Sequence, residues 1–370
     1  MKSSRPANPS LFANLFLTTV ALLLAGCAGP TITMPELLEE PSVAVKPPEP
    51  PIITPKPTPN PDADVAPDIT FDIFKANAAL KRGDYAGAVK LFRSELKGEQ
   101  AKTESSWVQL SYLNHQLGFA LKHVAQHDEA LEYYQKSLAI RLKQLGSDHP
   151  QVLNGYNNIG EVYNKKGEYD KALEYHQKSL DIKLKQLGSN HPSLAISYHN
   201  IGLVYNNKSE HDKALEYHQK SLTIMLKQLG PDNPYIAKSY NNIGSVHERK
   251  AEYDKALEYY QKALTIRLKQ LGSDHPDVAT SYNNIGVIHN TKGQHDKALE
   301  HHQKSLAIML KQLGPDHPDV ATNYYNIAFV YKAKKDLPKA LEYCEKAYAI
   351  LLKKLGPNHP HTKLVKGQLD

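Results

Sequence analysis

Apolar residues in most of this chain recur at helical rather than strand spacing. Between Pro150 and Leu187, the residues Val152, Tyr156, Ile159, Gly160 and Tyr163 fall at i, i+4, i+7, i+8 and i+11, one apolar stripe on a first helix. Pro150 suits the first turn of that helix, with Asp148 as the expected cap. Lys166-Gly167-Glu168 marks a turn, and Asp170 is expected to cap a second helix. The stripe continues there through Ala172, Leu173, His176, Leu180 and Leu184, and Gly188 closes the helix. Gly160 and Ala172 are small where the two helices must approach closely.

The pattern repeats. The string Leu-Gly-x-(Asp/Asn)-(His/Asn)-Pro begins at Leu145, Leu187, Leu229, Leu271, Leu313 and Leu355, at intervals of 42 residues. Ala130, Ala172, Ala214, Ala256, Ala298 and Ala340 share one column, and Ile159, Ile201, Ile243, Ile285 and Ile327 share another, which Leu117 precedes. Gly83, Tyr85 and Ala88 keep the register of a seventh, degenerate unit that begins near Ile69 and has Thr103-Glu104-Ser105-Ser106 in place of the loop string. The expected units are 69–106, 107–148, 149–190, 191–232, 233–274, 275–316 and 317–358, with a polar cap at 359–370 whose helix starts at Pro360 and lacks the apolar columns. A single helix pair cannot bury its own apolar face, so the units must stack on one another. The fold class is therefore all-α, an α-solenoid rather than two or three separate domains.

Tyr156, Ile159, Gly160, Tyr163 and Ala172 resemble the tetratricopeptide repeat. The 42-residue length, with the Asn-Asn-Ile-Gly and Leu-Gly-x-Asp-His-Pro strings, is similar to the long variety found in kinesin light chains. The resemblance implies a right-handed solenoid whose first helices line a concave groove for extended peptides. It also implies that Asn158, Asn200, Asn242, Asn284 and Asn326 pair with a peptide main chain, which suits an amide that both donates and accepts. One departure stands in the second helix, where His176, His218, His302 and Cys344 replace the usual bulky aromatic. Second helices hardly vary: Lys171 to Leu180 and Lys213 to Leu222 read identically. The expected groove positions do vary. One column runs Glu161, Leu203, Ser245, Val287, Phe329, and another runs Asn157, His199, Asn241, Asn283, Tyr325. A polar N-terminal half and an apolar region around Val287, Tyr325 and Phe329 suit an asymmetric peptide, with Tyr325 and Phe329 as its anchor.

The start of the chain reads as an address. Lys2 and Arg5 precede the apolar run Leu11 to Leu24, too short to span a bilayer, and the run ends in Leu24-Ala25-Gly26-Cys27. This segment resembles a bacterial lipoprotein signal peptide over 1–26. The resemblance implies cleavage before Cys27 and lipidation of that residue. Ala28 in the next position favours the outer membrane of a diderm cell, with the domain facing the periplasm. Between Pro30 and Pro67 lie 12 of the 24 prolines, so 27–68 is expected to be an extended stalk between lipid and repeats.

Charge changes the picture little. The net +6 divides into +2 for residues 1–26, −5 for 28–68 and +9 for the repeats. Lysines and glutamates in the repeats alternate at helical spacing, as in Lys171, Glu174 and Lys178, which describes a solvated helix surface and not a nucleic-acid interface. Two cysteines exclude a disulfide scaffold, and Cys344 reads as a buried structural thiol. His149, His191, His275, His317 and His359 recur once per unit, too far apart to share a metal. No metal, cofactor or catalytic constellation is expected, because nearly every polar residue is one rung of a ladder. The expected function is a non-enzymatic, membrane-anchored scaffold that binds a protein or peptide in its groove. The alternative is an assembly factor that contacts the cell wall or membrane surface through the basic repeats.

Overall fold

The computed structural model describes residues 70–369, so Cys27, the lipoprotein signal and the proline-rich segment lie outside the described residues. Among the described residues there are fifteen α-helices and no strand. They form seven helix pairs and a short closing helix: α1 (Phe71–Lys81) with α2 (Tyr85–Gln100), α3 (Trp107–His123) with α4 (His127–Leu145), α5 (Pro150–Lys165) with α6 (Tyr169–Leu187), α7 (Ser193–Asn207) with α8 (His211–Leu229), α9 (Pro234–Arg249) with α10 (Tyr253–Leu271), α11 (Pro276–Thr291) with α12 (His295–Leu313), α13 (Pro318–Ala333) with α14 (Leu337–Leu355), and α15 (Pro360–Lys366). The described residues divide into two compact bodies, one up to Val246 and one from His247 onward. Within each body, second helices pack on the first helix of their own pair and on that of the next pair, as α4 does on α3 and α5 and α12 does on α11 and α13.

The helix starts differ from the expected ones in a chemically instructive way. The residue that caps α5 is His149, not Asp148: its Nδ1 accepts the Gln151 amide at 3.2 Å. His191, His275, His317 and His359 do the same for Ser193, Asp277, Asp319 and His361. Where the loop has Asn233, its Oδ1 accepts from Tyr235 at 3.0 Å. Asn Oδ1 and His Nδ1 occupy the same place relative to the backbone, which explains why the loop string tolerates only these two residues before Pro. Asp170 is likewise no cap. α6 follows Glu168, and Asp170 instead reaches Lys208 of the next pair at 2.7 Å. Asp128 and Asp296 make the same link to Lys166 and Lys334, at 2.6 and 2.5 Å.

Small residues and rings are matched across each pair. A Cβ on Gly160, Gly202 or Gly286 would stand 2.8 Å from Cε1 of His176, His218 or His302, so only glycine leaves room for the imidazole. In the last pair the first-helix residue is Ala328 and the second-helix partner shrinks to the buried thiol Cys344. The histidine positions that depart from the usual aromatic are thus filled cores. The closing helix α15 also differs from the polar cap expected, since Val365 and Thr362 are both buried.

Candidate functional site

The first helices carry the polar positions expected to face a partner, and within each body those positions form a seam between neighbouring first helices. Asn77 donates to Tyr112 Oη at 2.9 Å, and Lys122 pairs with Glu161 at 2.8 Å. Asn207 donates to Asn164 at 3.0 Å, and Asn242 lies 3.5 Å from His199 Nδ1. In the body from His247 onward, Asn326 donates to Asn283 at 2.7 Å. The separations of 35 to 43 residues lie within two helical turns of one repeat length, which is the sequence signal that two residues meet on adjacent first helices. A motif search inside one unit misses it, as the Lys122–Glu161 pair was missed.

The five expected peptide-contacting asparagines do not stand alike. Asn158, Asn200 and Asn242 are half-buried, whereas Asn284 and Asn326 are buried. Asn326 commits its amide to Asn283, which also holds the His302 ring, and Asn242 turns to His199. Asn158 and Asn200 hold no hydrogen bond to another described side chain. The two aromatic positions also part. Tyr325 is 4% exposed and lies under α15, lining a crevice with Ala321, Leu351, His361 and Val365 that has room for about one water. Its ring centroid is 6.0 Å from that of Phe329, which remains half-buried.

Electrostatics mark the first helices of the body up to Val246. Burial opposes charge on Glu161, but the Lys122 ion pair outweighs it, with Lys165 and His123 adding, and the carboxyl is held below its ordinary range. Lys122 is itself almost fully buried, so this ion pair is a fixed part of the wall. Exposed Lys165 stands one turn further along α5. In the body from His247 onward, exposed Lys332 stands one turn beyond Phe329 and donates to Gln368 at 3.0 Å. Cys344 is buried and its thiol is pushed up by that burial, which makes it a poor nucleophile. Among the described residues no group of three His, Cys, Asp or Glu side chains is placed to hold a metal ion. Nor is any described helix long and apolar enough to cross a membrane. The arrangement offers amides, a fixed ion pair and a half-buried ring, which suits binding.

The profile of the tetratricopeptide repeat matches the chain in six overlapping windows, from 109–185 through 151–227, 193–269, 235–311 and 277–353 to 319–369. No match was found among curated proteins. Several solved structures are similar in fold. BtubC (BKLC) from P. vanneervenii is 24% identical, with 64% of this chain and 92% of that one covered, at a TM-score of 0.51. The apo form of RapI is 18% identical over 76% of this chain and 97% of that one, at 0.57. The Rap conjugation gene regulator of plasmid pLS20, in complex with the Phr* peptide, is 18% identical over 78% and 76%, at 0.53.

Proposed function

The chain belongs to the tetratricopeptide repeat family, and from that premise we propose that it is a non-enzymatic scaffold that binds an extended peptide or partner-protein segment along its first helices. The observation that carries this reading is the pair of half-buried, uncommitted amides at Asn158 and Asn200, beside neighbours whose amides are spent within the chain. An amide at a half-buried position gains most from a main-chain partner, because both its donor and its acceptor are only partly hydrated. Each within its own body, Phe329 supplies an apolar contact and Lys165 a charged one. The pLS20 Rap protein, similar in fold, holds a peptide ligand.

The finer reading places the scaffold at a bacterial envelope. Lipid on Cys27 would anchor it, and the proline-rich residues 28–68 would hold the repeats off the surface. Two acyl chains hold a protein firmly where one does not. The alternative, a basic surface on cell wall or membrane, is less well supported. The second-helix lysines Lys136, Lys178, Lys220, Lys262, Lys304 and Lys346 each pair with a glutamate four residues earlier, so their charge is locally balanced.

A crosslinked pull-down from envelope extract tests the reading. The native chain should recover a partner that Asn158→Ala/Asn200→Ala loses. Equal recovery by both would move the binding site off the first helices. Recovery that disappears steeply with added salt would favour the basic surface instead.

A further inference from the structure

The pairs α5/α6, α7/α8 and α11/α12 each place one first-helix residue against the second-helix residue 19 positions later. Asn157 Oδ1 holds His176 Nδ1 at 3.2 Å, and Asn283 Oδ1 holds His302 Nδ1 at 3.1 Å. In the pair α7/α8 both residues are histidine. The His199 and His218 rings lie 5.5 Å apart, tilted by 55°. His218 is 1% exposed, is pressed onto Gly202, and has a buried Nε2 with no partner. Half-buried His199 faces the Asn242 amide on the next first helix.

The surroundings of the two rings are poor in negative charge. His176 has Glu161 near enough to favour a proton, with Lys183 opposing. The charged groups that act on His199 are His218 and Lys238 of α9, both of which oppose protonation. No charged group from α5, α6, α7, α8 or α9 offsets the burial of His218. A proton arriving at His199 Nδ1 would turn that atom from acceptor to donor, so the Asn242 amide would have to turn its oxygen to the ring to keep this link from α7 to α9. Two charged imidazoles in contact would also repel.

We propose that the His199–His218 pair is an acid-operated release on the binding face: protonation of the two touching rings parts α7 from α8 and withdraws Asn200. Its functional consequence rests on the first-helix reading given above. The structural switch itself does not. In opening, the His199–His218 contact takes up two protons where the Asn157–His176 contact takes up one; α8 also carries His211, where α6 has Tyr169, and the His199→Asn variant below holds that residue constant. Each ring that titrates only in the open state favours opening by about tenfold per pH unit below its ordinary value.

Hydrogen exchange of the full chain at pH 7.5 and 5.5, corrected for intrinsic rates, separates the outcomes without any ligand. Protection of Ser193–Asn207 should fall about a hundredfold, and that of Pro150–Lys165 about tenfold. His199→Asn recreates the arrangement of Asn157 and Asn283, so it should fold, keep its protection at pH 7.5, and show only the smaller loss. In the native chain the imidazole resonances of both residues should shift over the same pH range as that loss. Equal acid responses in α5 and α7, or a His199→Asn chain that keeps the larger response, would overturn the proposal. A partner that ignores Asn200 while α7 still responds to acid would instead refute the first-helix reading alone.

Discussion

The pairs α5/α6 and α7/α8 share a ten-residue second-helix sequence, Lys171 to Leu180 and Lys213 to Leu222, and each lays an imidazole on a glycine. They differ across the pair, where Asn157 faces His176 and His199 faces His218. One substitution turns a satisfied neutral pair into a pair of titratable rings and redirects the next unit's asparagine. In a repeat architecture the outer layer holds the register, so function and regulation are written into single positions of the inner helices.

The comparison can be broken first by acid. Burial lowers His176 and His218 to about 4 and His302 to about 3. A histidine lowered in the folded state gives its full stabilisation above its ordinary value near 6.5 and loses it as pH falls toward the folded value. Each ring should therefore remove about 2 kcal/mol between pH 7.5 and 5. Urea unfolding at the two pH values checks this, and a constant midpoint would show that the rings are hydrated. Next in size is the glycine cradle. Gly160→Ala should cost about 1–3 kcal/mol by overpacking His176, and adding His176→Cys should recover most of it, since the chain already uses Ala328 with Cys344. A double variant no better than the single would mean that the two columns are not matched in size.

The loop caps sharpen the comparison at smaller cost. His275→Ala should lose about 1 kcal/mol, whereas His275→Asn should lose only a few tenths, by analogy with Asn233. Equal losses would deny the shared geometry of the two side chains. An effect smaller than the loss of a cap is expected at Lys335, which holds φ +64° in a turn where Gly83, Gly167 and Gly293 sit. Lys335→Gly should raise the melting temperature slightly, by about 0.5 kcal/mol in stability. No change would place the strain elsewhere.

Much of the fold was legible because period and punctuation are local. Pro150, Pro276, Pro318 and Pro360 start helices, and Gly188 ends one at φ +74°, a conformation that favours glycine. The cap was misplaced by one residue because Asp is the commoner cap, while the imidazole acceptor is visible only when His and Asn are seen to alternate in one column. Asp170 was misread because its partner, Lys208, is 38 residues away. The candidate site was legible as a face and not as individual contacts. Which asparagine stays uncommitted depends on the residue 43 positions earlier, as with Asn326 and Asn283. The fate of Tyr325 depends on a seven-residue helix that arrives after the last complete unit.

The central claim is that partners dock on the first helices. The most direct test installs a photocrosslinking residue in the full chain, in its native cell, at Asn200 or at exposed Gln177 on the second helix of the preceding unit. The account predicts a discrete protein adduct from position 200 and none from 177. An adduct from 177 with none from 200 would contradict it.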